Sequence, residues 1–421
     1  MKLIYINLKS NSISQKEITP ESDFYLLGAR GLSSKIINDE IEPQCDPLGS
    51  KNKLIIANGL LTGSPFPNSA RTSVGAKSPL TNGIKEANAG GRSAMMLARH
   101  GIRGLIFEEV SDSLRLLIID ENQIKLEDAE NYKGLGNYEL HSRLKSKYGD
   151  GIGIYSIGPA GEFLMRSATV ASNDLEGYPS RHAARGGLGA VMGSKKIKAI
   201  VILPPKQSQI PMYDLKKFRE TSTPFAKALA QTKQTFSTFG TPMMMKGMSG
   251  YGGLPTKNFR MSSYDKIDDI SGEALHEMVI SRGGKKRLAC SPTCVIKCSN
   301  LVVDENGEHI TSSLEYETMC LNGSNLMIND LESLAWIDHY CDDVGIDTIE
   351  YGGTCGVAMD NGEIEWGDAE KVIDILNTEI RNNTEIGKKY GNGVKNIGQL
   401  LNAKRVPQVK GQEFLLMTPE S

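Results

Sequence analysis

The chain has no run of 18 or more apolar residues, so its sequence offers no helix to span a membrane. It lacks the charged-then-apolar leader of a secreted protein and carries an odd number of cysteines, seven, which together predict a reducing cytoplasm. An excess of one charge is missing as well. Lys and Arg total 48 against 50 Asp and Glu, a formal net charge of -2, so no basic field recruits nucleic acid or an anionic membrane. Aromatic residues make up only 6%, whereas glycine is abundant at 44 of 421 residues. That balance predicts tight turns and close backbone approaches, the make-up of a backbone that cradles a ligand. The length exceeds one ordinary core and predicts more than one domain.

Apolar patterning divides the chain near Pro204-Pro205. Before it the signals alternate between strand and helix: a hairpin over residues 1–20, a helix over 24–41, strands at 54–57 and 72–76, a hairpin over 114–126, a helix over 138–147 and a strand over 152–157. Beyond it the pattern is mostly helical, with helices over 215–231, 272–281 and 331–344, a glycine- and methionine-rich turn over 240–253 and a hairpin around Asp304-Glu305-Asn306-Gly307. The expected class is α+β, with domains at 1–205 and 206–421. Met243 to Met248 reads as packing and not as a metal site.

One unit occurs twice. Gly90-Gly91 precedes a short helix and the strand at 104–107, and Gly186-Gly187 precedes residues 189–195 and the strand at 199–203. A glycine pair at a helix start lets backbone N–H groups approach an anion. Arg71 before the first copy, and Arg181 with Arg185 before the second, favour anions over plain turns. Two copies suggest two phosphate-bearing ligands or one ligand with pseudo-twofold symmetry.

Cys290, Cys294 and Cys298 place three thiols within nine positions. Clustered thiolates suit a soft metal or an iron–sulfur cluster, which usually takes four. The spacing C-x-x-x-C-x-x-x-C differs from the pairs of zinc ribbons and from bacterial ferredoxin runs, so zinc ranks second. A single helix would align the thiols on one face as buried cysteines, but Pro292 favours a loop.

Taken together, several collinear motifs resemble the aldehyde:ferredoxin oxidoreductase family. They are residues 52–63, Lys77-Ser78-Pro79-Leu80-Thr81, Asn88-Ala89-Gly90-Gly91, residues 156–162, residues 186–195, the cysteines, Glu315-Tyr316-Glu317 and Asp342-Asp343-Val344-Gly345-Ile346-Asp347. The resemblance implies a base domain of two similar β-sheets carrying a tungsten (or molybdenum) bis-pterin beside a 4Fe-4S cluster. It further implies that Arg71, Asn88, Gly90, Gly91, Arg181, Arg185 and the Gly186-Gly187 pair face pterin phosphates, with Asn88 and the backbone of His182 near a bridging Mg2+. Asp342, Gly345 and Asp347 would hold pterin ring nitrogens, where the unaided reading is a helix C-cap with solvated carboxylates. Glu317 would serve as the catalytic carboxylate, Glu315 as a structural one, and Cys290, Cys294 and Cys298 as cluster ligands. His339 reads as a satisfied helix histidine, and Trp336 stands where the family has a glutamate for an interface iron.

The activity so implied is oxidation of an aldehyde to a carboxylic acid, with electrons passing to ferredoxin or an electron-transfer subunit and a homodimer as an allowed assembly. The family continues into a third domain with the fourth cluster cysteine, and residues 414–421 do not follow its pattern. A separate C-terminal polypeptide is therefore an expected partner. Cys320, Cys341 and Cys355 are the alternative fourth ligands, with buried thiols as the simpler reading. Two other classes stay open: a split or incomplete pterin-binding subunit, and a simple metal-binding or electron-transfer module using only the three clustered cysteines.

Overall fold

The computed structural model describes residues 1–206 and 210–414. Most of the stretch 414–421, expected above to leave the family pattern, lies outside them. Two compact units are present: Met1–Gln231 with Cys290–Val295, and Thr232–Ala289 with Ile296–Ser421.

The first unit is built from strands β1 (Lys2–Asn7) and β2 (Ser12–Glu17), helix α1 (Ala29–Glu40), β3 (Leu54–Asn58), β4 (Thr72–Lys77), β5 (Ile84–Ala89), α2 (Ser93–Arg99) and β6 (Ile102–Glu108), then β7 (Arg115–Ile119), β8 (Ile124–Asp128), α3 (Asn137–Tyr148), β9 (Gly153–Ser156), α4 (Pro159–Glu162), β10 (Val170–Ser172), β11 (Arg181–Ala183), α5 (Leu188–Ser194) and β12 (Ile197–Ile202). Two six-stranded sheets result, ordered β2-β1-β6-β3-β4-β5 and β8-β7-β12-β9-β10-β11. The orders are the same once each strand is replaced by its counterpart. In both sheets the hairpin strand runs parallel to the last strand, and every other pairing is antiparallel.

The duplication extends to irregularities. The β1–β6 register slips between Lys2 and Leu3 so that Arg103 is skipped, and the β7–β12 register slips between Arg115 and Leu116 so that Lys198 is skipped. Both bulged cations are buried. Arg103 donates to the Leu27 carbonyl at 3.1 Å and Lys198 to the Leu135 carbonyl at 2.8 Å, each two residues before its repeat's long helix. A bulge turns the side chain out of the ladder, which is how each cation reaches that carbonyl.

Period-two alternation sorts the strand residues between two kinds of core. Ile4, Ile56, Leu105, Phe107, Leu117, Tyr155 and Ile200 form a single cluster between the sheets. Leu3, Ile55 and Ile106 face α1 on one outer side, and Leu116, Ile154 and Val201 face α3 on the other. Each of the two short helices packs against both sheets: Ser93 of α2 donates to the Ile154 carbonyl in the second sheet at 3.0 Å, and Lys195 just past α5 donates to the Asn52 carbonyl in the first repeat at 2.5 Å.

Helix α6 (Leu215–Thr232) ends the first unit and runs one residue into the second. The second unit is mainly helical: α7 (Gln234–Phe239), α8 (Met244–Gly250), α9 (Gly272–Ser281), the three-stranded sheet β13 (Lys285–Leu288), β14 (Ser299–Val303) and β15 (His309–Thr311), then α10 (Tyr316–Asn322), α11 (Leu331–Val344), α12 (Thr348–Asp360) and further helices reaching Leu400. The fold class is therefore α+β. No helix among the described residues is long and apolar enough to cross a membrane.

Two local expectations are corrected. The first helix begins at Ala29 instead of residue 24, because Gly28 is extended and Phe24 to Leu27 turn before it. The stretch 240–253 is not all turn, since Met244–Gly250 is helical with Met245 fully buried as packing.

Candidate functional site

Cys290–Val295 folds with the first unit. It is a loop, as Pro292 predicts, with neither helix nor strand between Leu288 and Ser299 and with Thr293 at φ 68°. Three hydrogen bonds dock it. Gly91 N–H donates to the Cys290 carbonyl at 2.7 Å, Asn68 N–H donates to the Thr293 carbonyl at 3.1 Å, and Val295 N–H donates to Asn68 Oδ1 at 2.9 Å. A Cβ on Gly90 would stand 2.4 Å from the Cys290 carbonyl oxygen, so only glycine admits the loop at this distance.

Around the loop the charges are positive. Arg71 Nη1 donates to Cys290 Sγ at 3.6 Å, while its Nε donates to Asn88 Oδ1. The Cys290 thiol is held down to about 5: the hydrogen bond from the Cys294 thiol outweighs burial, which acts in the opposite sense, and the Arg71 and Arg181 charges add to it. Arg181 is only 9% exposed, and its buried Nε has no hydrogen-bond partner. Its Cδ lies 3.6 Å from the Cβ position of Gly90. A buried guanidinium with an unmet donor is a place for an anion.

The second glycine pair repeats this with other side chains. Gly187 sits at φ 73°, where an added Cβ would stand 2.2 Å from the Arg166 carbonyl oxygen. A Cβ on Gly186 would meet Lys85 Cγ at 2.3 Å, and Ser78 Oγ donates to the Gly186 carbonyl at 2.7 Å. Both pairs lead into helices of seven residues, too short for the macrodipole to add much, so the cationic side chains carry the electrostatics. Arg185, half-buried, comes directly before Gly186. The His182 ring is fixed by Thr169 Oγ1 at 2.6 Å and the Pro179 carbonyl at 2.8 Å.

The remaining expected residues lie in the second unit. Gly345 ends α11 in the left-handed region at φ 77°, and Asp347 caps α12 by accepting the Ile349 N–H at 3.0 Å. The cap reading is therefore right about Gly345, but Asp342 and Asp347 are buried and not solvated. Glu317 is half-buried in the first turn of α10. Glu315 receives hydrogen bonds from Thr241 and Ser313, a structural role. His339 Nδ1 is bonded to the Ile310 carbonyl at 2.6 Å. Cys298 is half-buried, and Cys320, Cys341 and Cys355 are fully buried with burial raising each thiol, Cys355 to about 12. Such thiols are poor ligands.

Among the described residues no group of three or more His, Cys, Asp or Glu is gathered into a metal cage. What the first unit does assemble is one thiol with a strongly lowered pKa, a second bonded to it, two guanidinium groups and two glycine cradles. Thiolate suits an iron–sulfur cluster and the cradles suit phosphate, so the donor set fits the group that the motifs imply. Sequence reading missed Asn68 and Lys85. Asn68 occupies φ 58°, a conformation in which Asn is enriched, and Lys85 lies in a strand whose polar residues hid its alternation.

Comparison with known proteins speaks to the family and the fold. Residues 3–204 match the family model for the aldehyde ferredoxin oxidoreductase N-terminal domain, and residues 219–421 match that for its domains 2 and 3. The tungsten-containing aldehyde ferredoxin oxidoreductase of Pyrococcus abyssi is 35% identical over 85% of this chain, which spans 58% of that protein's length. The aliphatic sulfonate oxidoreductase, WOR-like subunit, of Pyrococcus furiosus is 26% identical over 97% of the chain and 68% of its own length. In fold, the chain is similar to the active site complex BamBC of benzoyl coenzyme A reductase in complex with 1,5 dienoyl-CoA, with TM-score 0.83 at 22% identity over 98% of this chain and 65% of the other. With both of its parts matched by one family's models, this chain belongs to the aldehyde ferredoxin oxidoreductase family.

Proposed function

We propose that this chain is the cofactor-holding part of a tungsten-pterin oxidoreductase of the cytoplasm, which oxidises an aldehyde to a carboxylic acid and delivers the electrons to ferredoxin. The observation that supports it best is the docking of Cys290 onto the Gly90-Gly91 cradle between Arg71 and Arg181. When bound, a tungsten bis-pterin supplies the two-electron oxidation of the carbonyl carbon. Arg71, Asn88, Arg181 and Arg185, with the glycine pairs, hold the phosphate-bearing ends, and Asn88 with the His182 backbone offers oxygens to Mg2+. Cys290, Cys294 and Cys298 ligate the 4Fe-4S cluster. Asp342 and Asp347 accept hydrogen bonds from ring N–H groups, and Glu317 takes or returns a proton at its carboxylate oxygens.

Three clustered cysteines leave one cluster ligand to find, and the buried Cys320, Cys341 and Cys355 are poor candidates. The reading therefore takes the fourth ligand from outside these cysteines, and a separate polypeptide is one source of it. The sulfonate-acting relative keeps the carbonyl substrate a proposal.

The test is the metal and pterin content of the chain, produced in a pterin-competent host and purified without oxygen, with and without such a partner. Tungsten or molybdenum together with about four irons per chain supports the reading. Zinc without pterin overturns it in favour of a simple metal-binding module.

A further inference from the structure

The bulged cations of the two repeats hold matching places in unequal company. The turn before each long helix is the same: the Tyr25 and Leu27 N–H groups donate to the Ser22 and Phe24 carbonyls, and the Lys133 and Leu135 N–H groups donate to those of Glu130 and Tyr132. Leu26 is thus the counterpart of Gly134. Counted from the matched strand pairs, Ala57 with Gly104 and Ser156 with Ala199, Gly63 is the counterpart of Glu162. In the second repeat the Glu162 carboxylate pairs with Lys198 and also accepts the Gly134 N–H at 3.0 Å. One buried acid thereby meets a buried cation and a backbone donor beside the start of α3. The first repeat has the cation without the acid. Arg103 is only 7% exposed, and among the described residues its Nη1 donates to the Leu27 carbonyl while its buried Nε has no acceptor. Burial lowers its pKa, with no carboxylate to raise it. The Leu26 N–H also has no acceptor among the described residues, and α1, 12 residues long, begins after Gly28 with no side-chain cap and no acidic residue in its first turn. Such a helix start favours negative charge. Gly63 cannot supply it: at φ 97° an added Cβ would stand 2.7 Å from Ile210 Cγ2 and 3.0 Å from Ala98 Cβ. A buried guanidinium left this way is costly unless an anion meets it.

We propose that Arg103, the Leu26 N–H and the start of α1 bind the carboxylate of a small organic acid, in the place that Glu162 fills in the second repeat. The counterpart is itself a carboxylate, and the change from lysine to arginine supplies a planar fork that matches one. The body of the acid is apolar. Tyr25, Leu26 and Leu60 flank the turn and are 46%, 75% and 41% exposed, with the Leu60 nitrogen 2.8 Å from the Cβ position of Gly28 at the start of α1. Neither glycine pair takes part, so the site stands apart from the pterin reading.

The full chain, in a buffer free of carboxylates, is titrated with benzoate and with hexanoate by calorimetry, and carbon-13 NMR of carboxyl-labelled benzoate gives a second readout. Chloride and inorganic phosphate are then added as competitors against the bound benzoate. Wild type is expected to bind the acids, and equal concentrations of chloride or phosphate should displace little of the benzoate. Arg103→Met should weaken acid binding by roughly tenfold or more, and Arg103→Lys by less, because the charge remains without the fork. Leu26→Glu and Leu26→Lys alter an exposed side chain next to the site and keep the fold, so they decide the matter even if Arg103→Met does not fold. The first should weaken acid binding severalfold and the second tighten it. The proposal is overturned if wild type binds neither acid, or if folded Arg103→Met binds them as wild type does. It is equally overturned if the two Leu26 variants behave alike, or if chloride or phosphate displaces benzoate at equal concentration.

Discussion

Arg71 donates from Nη1 to the sulfur of Cys290 at 3.6 Å across 219 residues of sequence. The same guanidinium bonds Asn88 through Nε, so one side chain ties the first glycine cradle to the cysteine loop. Arg71→Lys keeps the charge but cannot make both bonds from a single ammonium in that geometry. It is expected to lower pterin recovered per chain by severalfold, and Arg71→Ala to lower it further, both measured by fluorescence of the oxidised pterin. Equal pterin in both variants and wild type would show that the bridge is structural only.

Gly90→Ala places a methyl 2.4 Å from the Cys290 carbonyl oxygen. The sheet beneath does not need to move, because the loop can lift. The expected result is a folded protein by circular dichroism, with protease cleavage newly directed to residues 290–295 and iron content reduced. A variant that keeps its iron and resists the protease would mean that the strand and not the loop gives way.

Lys198 and Glu162 form an ion pair in which the lysine is fully buried and the carboxylate nearly so. Lys198→Met leaves the carboxylate without its cation and is expected to destabilise the first unit by about 3–5 kcal/mol in urea unfolding. The double variant Lys198→Met, Glu162→Gln should recover part of that loss. If the single variant unfolds like wild type, the bulge at Lys198 has no role in holding α4 to the sheet.

His141 is wholly buried, its Nε2 bonded to Ser156 Oγ at 2.8 Å, and burial lowers its pKa from 6.5 to about 3. The unfolded chain therefore binds a proton that the folded chain refuses between those values. Stability conferred by the neutral ring is complete above pH 6.5 and falls as pH drops toward 3, by at most about 1.4 kcal/mol per pH unit. His309, lowered to about 4 by its burial, adds a similar loss over a narrower window. His141→Gln should flatten the urea midpoint against pH between 6 and 4, compared with wild type. An unchanged slope would place the acid sensitivity elsewhere.

How much of this the sequence discloses depends on whether a contact is local. The glycine pairs, each followed by a helix and a strand, revealed the duplication because the repeated signal lies within some 20 residues. The three cysteines and Pro292 disclosed a thiol-carrying loop for the same reason. Strands β5, β10 and β11 escaped, since the first is rich in polar residues and the other two are three residues long with no apolar run. Their absence hid the end strands and with them Lys85. The Arg71–Cys290 and Asn68–Val295 contacts join stretches more than 200 residues apart, and nothing in either stretch names the other. The aspartates of the Asp342 motif show a further limit: a cap glycine is local chemistry, but whether a carboxylate beside it meets water is decided by helices packed from elsewhere.

The bridging of both sheets by α2 and by α5 has a consequence for the history of the fold. Each repeat's short helix packs on its own sheet and reaches the other's, which is the arrangement of two subunits that share an interface. Severed in the link between β6 and β7, the chain would yield two halves of like topology, each with an apolar sheet face that only the other can cover. The first unit thus has the build of two like halves joined on one polypeptide, free to diverge in the residues around each glycine turn.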